Sequence, residues 1–596
     1  MNWLSRNYLQ IDPRTLGFAR IVLALVLLLD LAKRLCVVEL WYSNAGLLPN
    51  HTALWSPGRS YHFSFLWGAS EPSEAAALML LIAVAYAGLL VGYRTRLCQV
   101  LSTLGLLSLQ VRTDILSNGG DFVLAILCVW TAFLPMGRRF SVDAVLACRG
   151  GGTEPELGSA KAARALDQAP VQSLAVLALY LQIAVIYFFN AATKTGVTWR
   201  DGSAIHYFWH QVRMLTPGGL WARETLGWAS PMLSWATLVL EWALPALVLS
   251  PWGKPWTRRL AVAFVVLLHG GITAVMNIGV FTPAMLAFSA LLIVAADWDS
   301  LEAWAGKRHR CTLTFDPSDP FARALSRWYQ RLDWFGRVKV EVGDEFSVVV
   351  AGERRTGAEA LRPLARALPG GLLLAPMAIV LRPLWKSFAA RKQACVRAMG
   401  WDREEPSLPS AAPWKVACSR GFVWAREGAV AFLIVVATVQ LLNENRGIPQ
   451  VMRVAQVPEW VRMVVDYTRL QQGWQMFAPD VPRSDVYVRV DAVTLSGKHV
   501  DPIAEAAGIE PEPESRVLPV QPGPDVYFAQ YMERIRGDVR HHRPLQQWIE
   551  RYHERTGAPG DRIVAYQVLH LSHTSPSPSE SEPTALTHSV FVSGPQ

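Results

Sequence analysis

The sequence predicts a mainly α, polytopic membrane helix bundle of about nine spans, with a small cytoplasmic α/β insert and an extracytoplasmic α+β C-terminal domain. Three observations carry this reading. Of 596 residues, 51% are hydrophobic and only 18% charged. The apolar residues are gathered into charge-poor runs of about 20, the length that crosses a bilayer. Alternating strand patterns fall in two late interruptions, after the eighth and ninth apolar runs.

The spans are expected at 15–35, 74–93, 97–112, 121–137, 172–193, 229–250, 259–278, 280–297 and 426–444. MNWLSRNYLQIDPRT has no short apolar region ending in a small-residue cleavage site, so the first run is expected to remain as a helix. The loops carrying Arg94, Arg96, Arg138, Arg139, Lys254, Arg258 and Arg259 then lie on the side of the N-terminus. Lysine and arginine favour the cytoplasmic face, which puts the N-terminus inside and the C-terminus and Lys194 outside. The formal charge of +9 is spread over such loops. It reads as topology signal and lipid headgroup contact, with no basic block to bind nucleic acid. The cysteines, Cys36, Cys98, Cys128, Cys148, Cys311, Cys395 and Cys418, are scattered without a CxxC pair. Neither a disulfide framework nor a metal site is expected.

The domains are expected at 1–297 for the bundle, 298–425 for the insert and 426–445 for the last span. An extracytoplasmic α+β domain follows at 446–572, and a disordered tail at 573–596, where SHTSPSPSESEPT is too polar and Pro/Ser-rich to pack. In the insert, CTLTF, VKVEV and FSVVV read as strands, and DPFARALSRWYQRLDWFG as a helix with an Asp-Pro start.

The chemistry is expected around YFFNAATKTGVTWRDGSA, Tyr187 to Ala204, where an apolar helix runs onto Lys194 and breaks into a turn with Trp199, Arg200 and Asp201. An ammonium at the end of such a span either reaches water or loses its proton. By pattern alone a snorkelling lysine leads over a general base. Other polar residues in the spans could complete a cavity: Arg20, Glu241, His269 and Asn277 within apolar runs, and Arg112, Asn118 and Asp121 in RTDILSNGGD. Each also has a structural reading: a helix-packing contact for Arg20, a capped turn for Asn118 and Asp121, and a hydrogen-bonded packing histidine for His269. Glu241 needs a partner, with Lys194, Arg20 or His269 as candidates.

Several stretches in order resemble one family. They are DPRTLGFARIVLALVLLLDLAKR, WYSNAGLLP, VGYRTRL, NGGDFVLAILCVWTAFLPMGRRFSVDA, YFFNAATKTGVTWRDGSA, EWALPALVL and LLHGGITAVMNIGVF, with WQMFAP further on. Together they resemble the HTTM proteins, related to vitamin K-dependent γ-glutamyl carboxylase, over about residues 10–297. The resemblance implies a reduced naphthoquinone (vitamin K hydroquinone or menaquinol type), O2 and CO2 as reactants. It also implies Lys194 as the base that deprotonates the quinol, and carboxylation of glutamyl residues on an exported polypeptide. The carboxylase has a histidine after the asparagine that Asn118 matches, whereas this chain continues Gly119, Gly120, Asp121. The insert resembles the thioredoxin-like DCC proteins, with Asp319 and Ala322 standing where the two cysteines belong. No redox cysteines are therefore expected. Two function classes remain, a quinone-dependent membrane carboxylase and a non-catalytic membrane maturation scaffold. A transporter would show internal symmetry, and none is visible in the sequence. A bacterial plasma membrane is the expected location.

Overall fold

The computed structural model describes residues 3–54, 61–146, 169–305, 310–316, 318–368, 371, 391–399, 413–445, 447–515, 518, 525–580 and 585–595. The bundle begins with α1 (Pro13–Cys36), started by Pro13 and capped by Asp12, whose carboxylate accepts the Arg14 N–H at 2.7 Å. Just before it, β1 (Gln10–Ile11) pairs antiparallel with β2 (Val171–Gln172). This short clamp ties the start of α1 to the start of α5. Helices α2 (Pro72–Val91), α3 (Thr95–Arg112), α4 (Gly119–Ala132) and α5 (Leu174–Thr193) follow, then α6 (Ser230–Leu249), α7 (Lys254–Val275), α8 (Phe281–Ser289) and α9 (Ala295–Ala305).

Among the described residues, six helices are long and apolar enough to cross a membrane: Pro13–Cys36, Pro72–Val91, Leu174–Thr193, Gly227–Leu249, Lys254–Val275 and Gly421–Glu444. Phe281–Leu292 and Ala295–Ala305, bent by 87°, make a seventh if they are one span. The expected count of nine therefore differs at 97–112 and 121–137. Helix α3 has the length but not the composition, because Gln99, Ser102, Thr103, Ser108, Gln110 and Arg112 are buried while Leu97, Val100, Leu101 and Leu104 are exposed. Its polar face turns inward, where Gln99 donates to Thr131 Oγ1 at 2.9 Å and Gln110 to the Asp121 carbonyl at 2.8 Å. Helix α4 is apolar but has only 14 residues. Leu80, Leu81, Val84, Val239, Val266 and Leu267 are exposed on the long helices, the pattern of a surface facing lipid chains. Exposed Trp228 lies at one end of α6, and Trp252 and Trp256 lie at the other, as in an interfacial aromatic belt.

The insert contains a four-stranded sheet in the order β4-β3-β5-β6, with β3 (Cys311–Phe315) parallel to β4 (Val338–Val342). Strands β5 (Ser347–Val350) and β6 (Glu353–Thr356) continue it antiparallel, and α10 (Pro320–Leu332) and α11 (Ala358–Ala367) accompany it. Asp319 caps α10 by accepting the Phe321 N–H, and its carboxylate pairs with Lys392. Ala322 is fully buried. Asp319 and Ala322 thus serve as a helix cap and a core methyl. Cys311 is buried in the sheet core, and burial pushes its thiol up to about 12. The side chains of Cys395 and Cys418 lie outside the described residues, as does Cys148.

Helix α12 (Pro413–Glu444) leads into the C-terminal domain through α13 (Glu459–Thr468). There an antiparallel sheet runs β10-β9-β7-β8, with β7 (Ser484–Thr494) and β9 (Ile563–Thr574) at its centre. The short edge strand β8 (His499–Val500) lies on one side. The expectation of a disordered tail at 573–596 is corrected in part. β10 (Thr587–Gly594) pairs with β9 as the other edge strand, because THSVFVSG places apolar residues where the ladder can use them. Helices α14 (Pro502–Ala506), α15 (Val526–Arg534) and α16 (His542–Glu550) complete the domain.

Asp501 caps α14, accepting the N–H groups of Ile503 and Ala504 through Oδ1 at 3.1 Å each, while Oδ2 has no partner. Burial pushes this carboxyl up to about 7, against the pull of the Ala504 N–H. The unfolded chain releases this proton near pH 4, so the folded state binds more protons between about 4 and 7. The group's contribution to stability therefore falls as pH rises through that window. Asp501→Asn keeps the acceptor and removes the titration. The stability difference between variant and wild type is expected to grow in the variant's favour from pH 5 to pH 8, read by thermal unfolding of the C-terminal domain.

Candidate functional site

Helix α5 delivers Lys194 to the site, and Thr193 is the helix's last residue. The lysine is 8% exposed, and its ammonium meets both carboxylate oxygens of Glu241 from α6, at 2.5 and 2.6 Å. Asn190, one turn earlier on α5, donates to Glu241 Oε1 at 2.7 Å. The Lys194 amine also lies 4.6 Å from the centre of the Trp199 ring. Tyr187, on the same helix, bonds His269 Nε2 of α7 at 2.8 Å. Three spanning helices thus bring their polar side chains to one end of the bundle. Two buried polar atoms there have no hydrogen-bond partner, Asn190 Oδ1 and His269 Nδ1. Buried polar atoms are almost always satisfied, so these two stand out among the described residues of the site.

The turn after Lys194 is held by the C-terminal segment WQMFAPD. The Gly196 N–H donates to the Pro479 carbonyl at 3.0 Å, and the Thr198 N–H and hydroxyl donate to Asp480 Oδ1 at 2.8 and 3.0 Å. Trp199 Nε1 donates to the Phe477 carbonyl at 2.9 Å. A Cβ on Gly196 would lie 2.1 Å from the Asp480 carboxylate, so only glycine lets the two segments approach this closely. Lys194 is therefore enclosed by the turn and the strap over it.

The other sequence candidates divide. Asn118 is the N-cap of α4, accepting the Gly120 N–H at 2.8 Å, and Asp121 answers by accepting the Asn118 N–H at 2.9 Å. The turn adjoins the site through Phe281, whose ring centre is 5.2 Å from that of His269 and whose backbone presses on Gly120. Arg20 is not brought to Lys194. It donates to the Leu89 and Phe140 carbonyls at 2.8 and 2.5 Å, beneath Gly92 at the end of α2. Asp201 is spent on its own turn, accepting from the Ser203 N–H and hydroxyl. Asn277 accepts the Gly279 N–H at 3.3 Å after α7. Arg112 lines a different cavity.

Sequence reasoning passed over Asn190, Tyr187 and Asp480. Asn190 was within reach, since it lies four positions before Lys194 and so on the same helix face. Arg34, four residues after Asp30 on α1, does more than pair with it. Arg34 is buried and donates to Asp30 at 2.7 Å, Tyr42 at 2.7 Å and Asp121 at 2.8 Å. Tyr527 of α15 lies under the same guanidinium, 5.5 Å from its ring centre.

A bundle of apolar helices with an interior ion pair at one end defines a polytopic membrane protein. Its first half is an HTTM domain, matched by that family model over residues 8–298. No curated protein and no solved structure matches the chain.

Proposed function

We propose that the Lys194 site binds a reduced quinone and handles its hydroxyl proton at the outer face of a bacterial plasma membrane, as part of a carboxylase-type reaction on an exported polypeptide. The observation that carries this is the buried Lys194–Glu241 pair beside two polar atoms without partners, Asn190 Oδ1 and His269 Nδ1. The donor and acceptor chemistry fits the group, because a quinol hydroxyl can donate to Asn190 Oδ1 and a quinol oxygen can accept from His269 Nδ1. When bound with O2, such a quinol would supply a base strong enough to remove a glutamyl γ-proton, and CO2 would then add to the γ-carbon so deprotonated.

The resemblance gave the proton-accepting role to an unpaired lysine amine. With Glu241 against it, that role passes to the pair. The Glu241 carboxylate takes the hydroxyl proton, and Lys194, still an ammonium, balances the negative charge left on oxygen. Tyr187 fixes His269 through Nε2, and Asn190 fixes Glu241. The strap of residues 474–480 excludes water, which such a strong base requires. Purified protein given reduced naphthoquinone and O2 is expected to form the quinone epoxide. Lys194→Ala and Glu241→Gln should each lower the rate by about 10²–10⁴. Undiminished epoxide formation in both variants would end this assignment.

A second reading, a non-catalytic maturation scaffold, draws support from the extent to which the C-terminal domain is locked onto the bundle. It predicts that native mass spectrometry of the purified protein finds no bound quinone.

A further inference from the structure

A second polar cavity lies between the bundle and the C-terminal domain. Its volume is about 50 Å³, and its walls include Arg112, Trp67, Thr52 and Arg540 but none of Lys194, Glu241 or His269. At roughly 10–15 Å³ for each enclosed water, that is room for a few waters or one small ion. Arg112, at the end of α3, is 3% exposed, and its Nε and Nη2 have no hydrogen-bond partner. Leaving a buried guanidinium unpaired is costly, and other buried arginines near this interface are paired. Arg34 holds Asp30 and Asp121, and Arg469 holds Asp114 and Ser117. Arg258, which also lacks partners, belongs to the start of α7 and stacks 4.2 Å over Tyr180.

Donors without partners stand out in the cavity wall, which also holds His62, His541 and Asp114. Trp67 Nε1 and Thr52 Oγ1 are also buried without partners, so the donors of Arg112 and Trp67 and a hydroxyl line a partly open space. Arg540, from the C-terminal side, is already paired with Asp538 at 2.7 and 2.5 Å, which leaves Arg112 as the cation with open donors in this wall among the described residues. The carboxylate in the wall, Asp114, is bound to Arg469 at 3.0 Å. Among the described residues, no group of three or more His, Cys, Asp or Glu side chains is placed to hold a metal ion. Nε and Nη2 form one edge of the guanidinium fork, spaced for the two oxygens of a carboxylate.

We infer that this cavity is a binding site for a carboxylate-type oxyanion, held by Arg112 with Trp67 and Thr52. The anion is either a free small acid such as acetate or bicarbonate, or a carboxylate side chain of a bound peptide. The site stands whether or not a quinone binds at Lys194, and its test uses none.

Full-length protein in detergent is titrated with acetate, with bicarbonate and with a short glutamate-containing peptide, using its glutamine counterpart as control. Binding is followed by tryptophan fluorescence and by thermal shift. Saturable binding of at least one carboxylate is expected, weakened about tenfold or more in Arg112→Gln. Trp67→Phe keeps the shape and loses one donor, and is expected to weaken binding about fivefold to tenfold. Acetate or bicarbonate binding without peptide binding identifies a small acid as the ligand. Peptide binding that needs the glutamate identifies a side chain. If no carboxylate saturates the wild type, or if folded Trp67→Phe and Arg112→Gln bind as well as wild type, the inference is overturned. Should Arg112→Gln not fold, Trp67→Phe alone decides.

Discussion

Glu241→Ala is expected to destabilise the folded protein by about 3–5 kcal/mol, because it leaves the Lys194 ammonium buried with no counter-charge. The lysine and the glutamate have side-chain exposures of 3% and 4%, so water cannot take over the lost contact. The cost is limited by the lysine's ability to shed its proton, which a buried amine does readily. A double variant, Lys194→Met with Glu241→Leu, removes both charges and should recover most of the loss, since buried pairs are often no better than apolar residues of similar size. Chemical or thermal unfolding in detergent measures all three proteins. A double variant as unstable as Glu241→Ala would mean that the ion pair itself, and not the orphaned charge, supports the fold. Recovered stability without recovered epoxide formation would separate the pair's chemistry from its structural contribution.

Arg34→Ala should loosen the C-terminal domain from the bundle. The guanidinium is the cation shared by Asp30 and Asp121, and it also donates to Tyr42 and lies on Tyr527. Its removal leaves two buried carboxylates facing each other with no arginine between them, a penalty expected to match or exceed about 3–5 kcal/mol. Around it, Trp41 packs against Phe528 and Tyr531 with ring centres 5.2 and 5.3 Å apart, and Arg534 donates to the Ile115 and Ser117 carbonyls. Those contacts remain in the variant. The expected result is therefore faster proteolysis and hydrogen exchange over residues 525–550 at a largely intact bundle. Unchanged protection there would show that the aromatic contacts alone hold the domain.

The long apolar helices were legible because composition and length suffice for them, as for Leu174–Thr193 and Lys254–Val275. Helix α3, expected as a span, has the length but not the mean hydropathy, because its buried face carries the polar residues Gln99, Ser102, Thr103, Ser108 and Gln110. At the site, Lys194 and Glu241 could each be singled out as a costly residue in an apolar run, and Lys194 was one of three partners considered for Glu241. That they pair with each other depends on how α5 packs on α6, which no local pattern records. Arg20 looked equally costly, yet two backbone carbonyls satisfy it, and carbonyl partners leave no signature in the sequence. Arg34 was hidden by its own neighbour: the i,i+4 spacing to Asp30 explained it too cheaply, and the link to Asp121, 87 positions away, needed the fold.

The strap over Lys194 has a consequence for biosynthesis. The lysine turn is made about a third of the way along the chain, but Phe477, Pro479 and Asp480, which close it, are made about four-fifths of the way along. A ribosome-bound or truncated chain therefore carries the ion pair without its cover. Any chemistry that depends on a dry lysine is withheld until the last span and the segment beyond it have been delivered. The order of synthesis thus leaves the turn after Lys194 bare until residues 474–480 have been made.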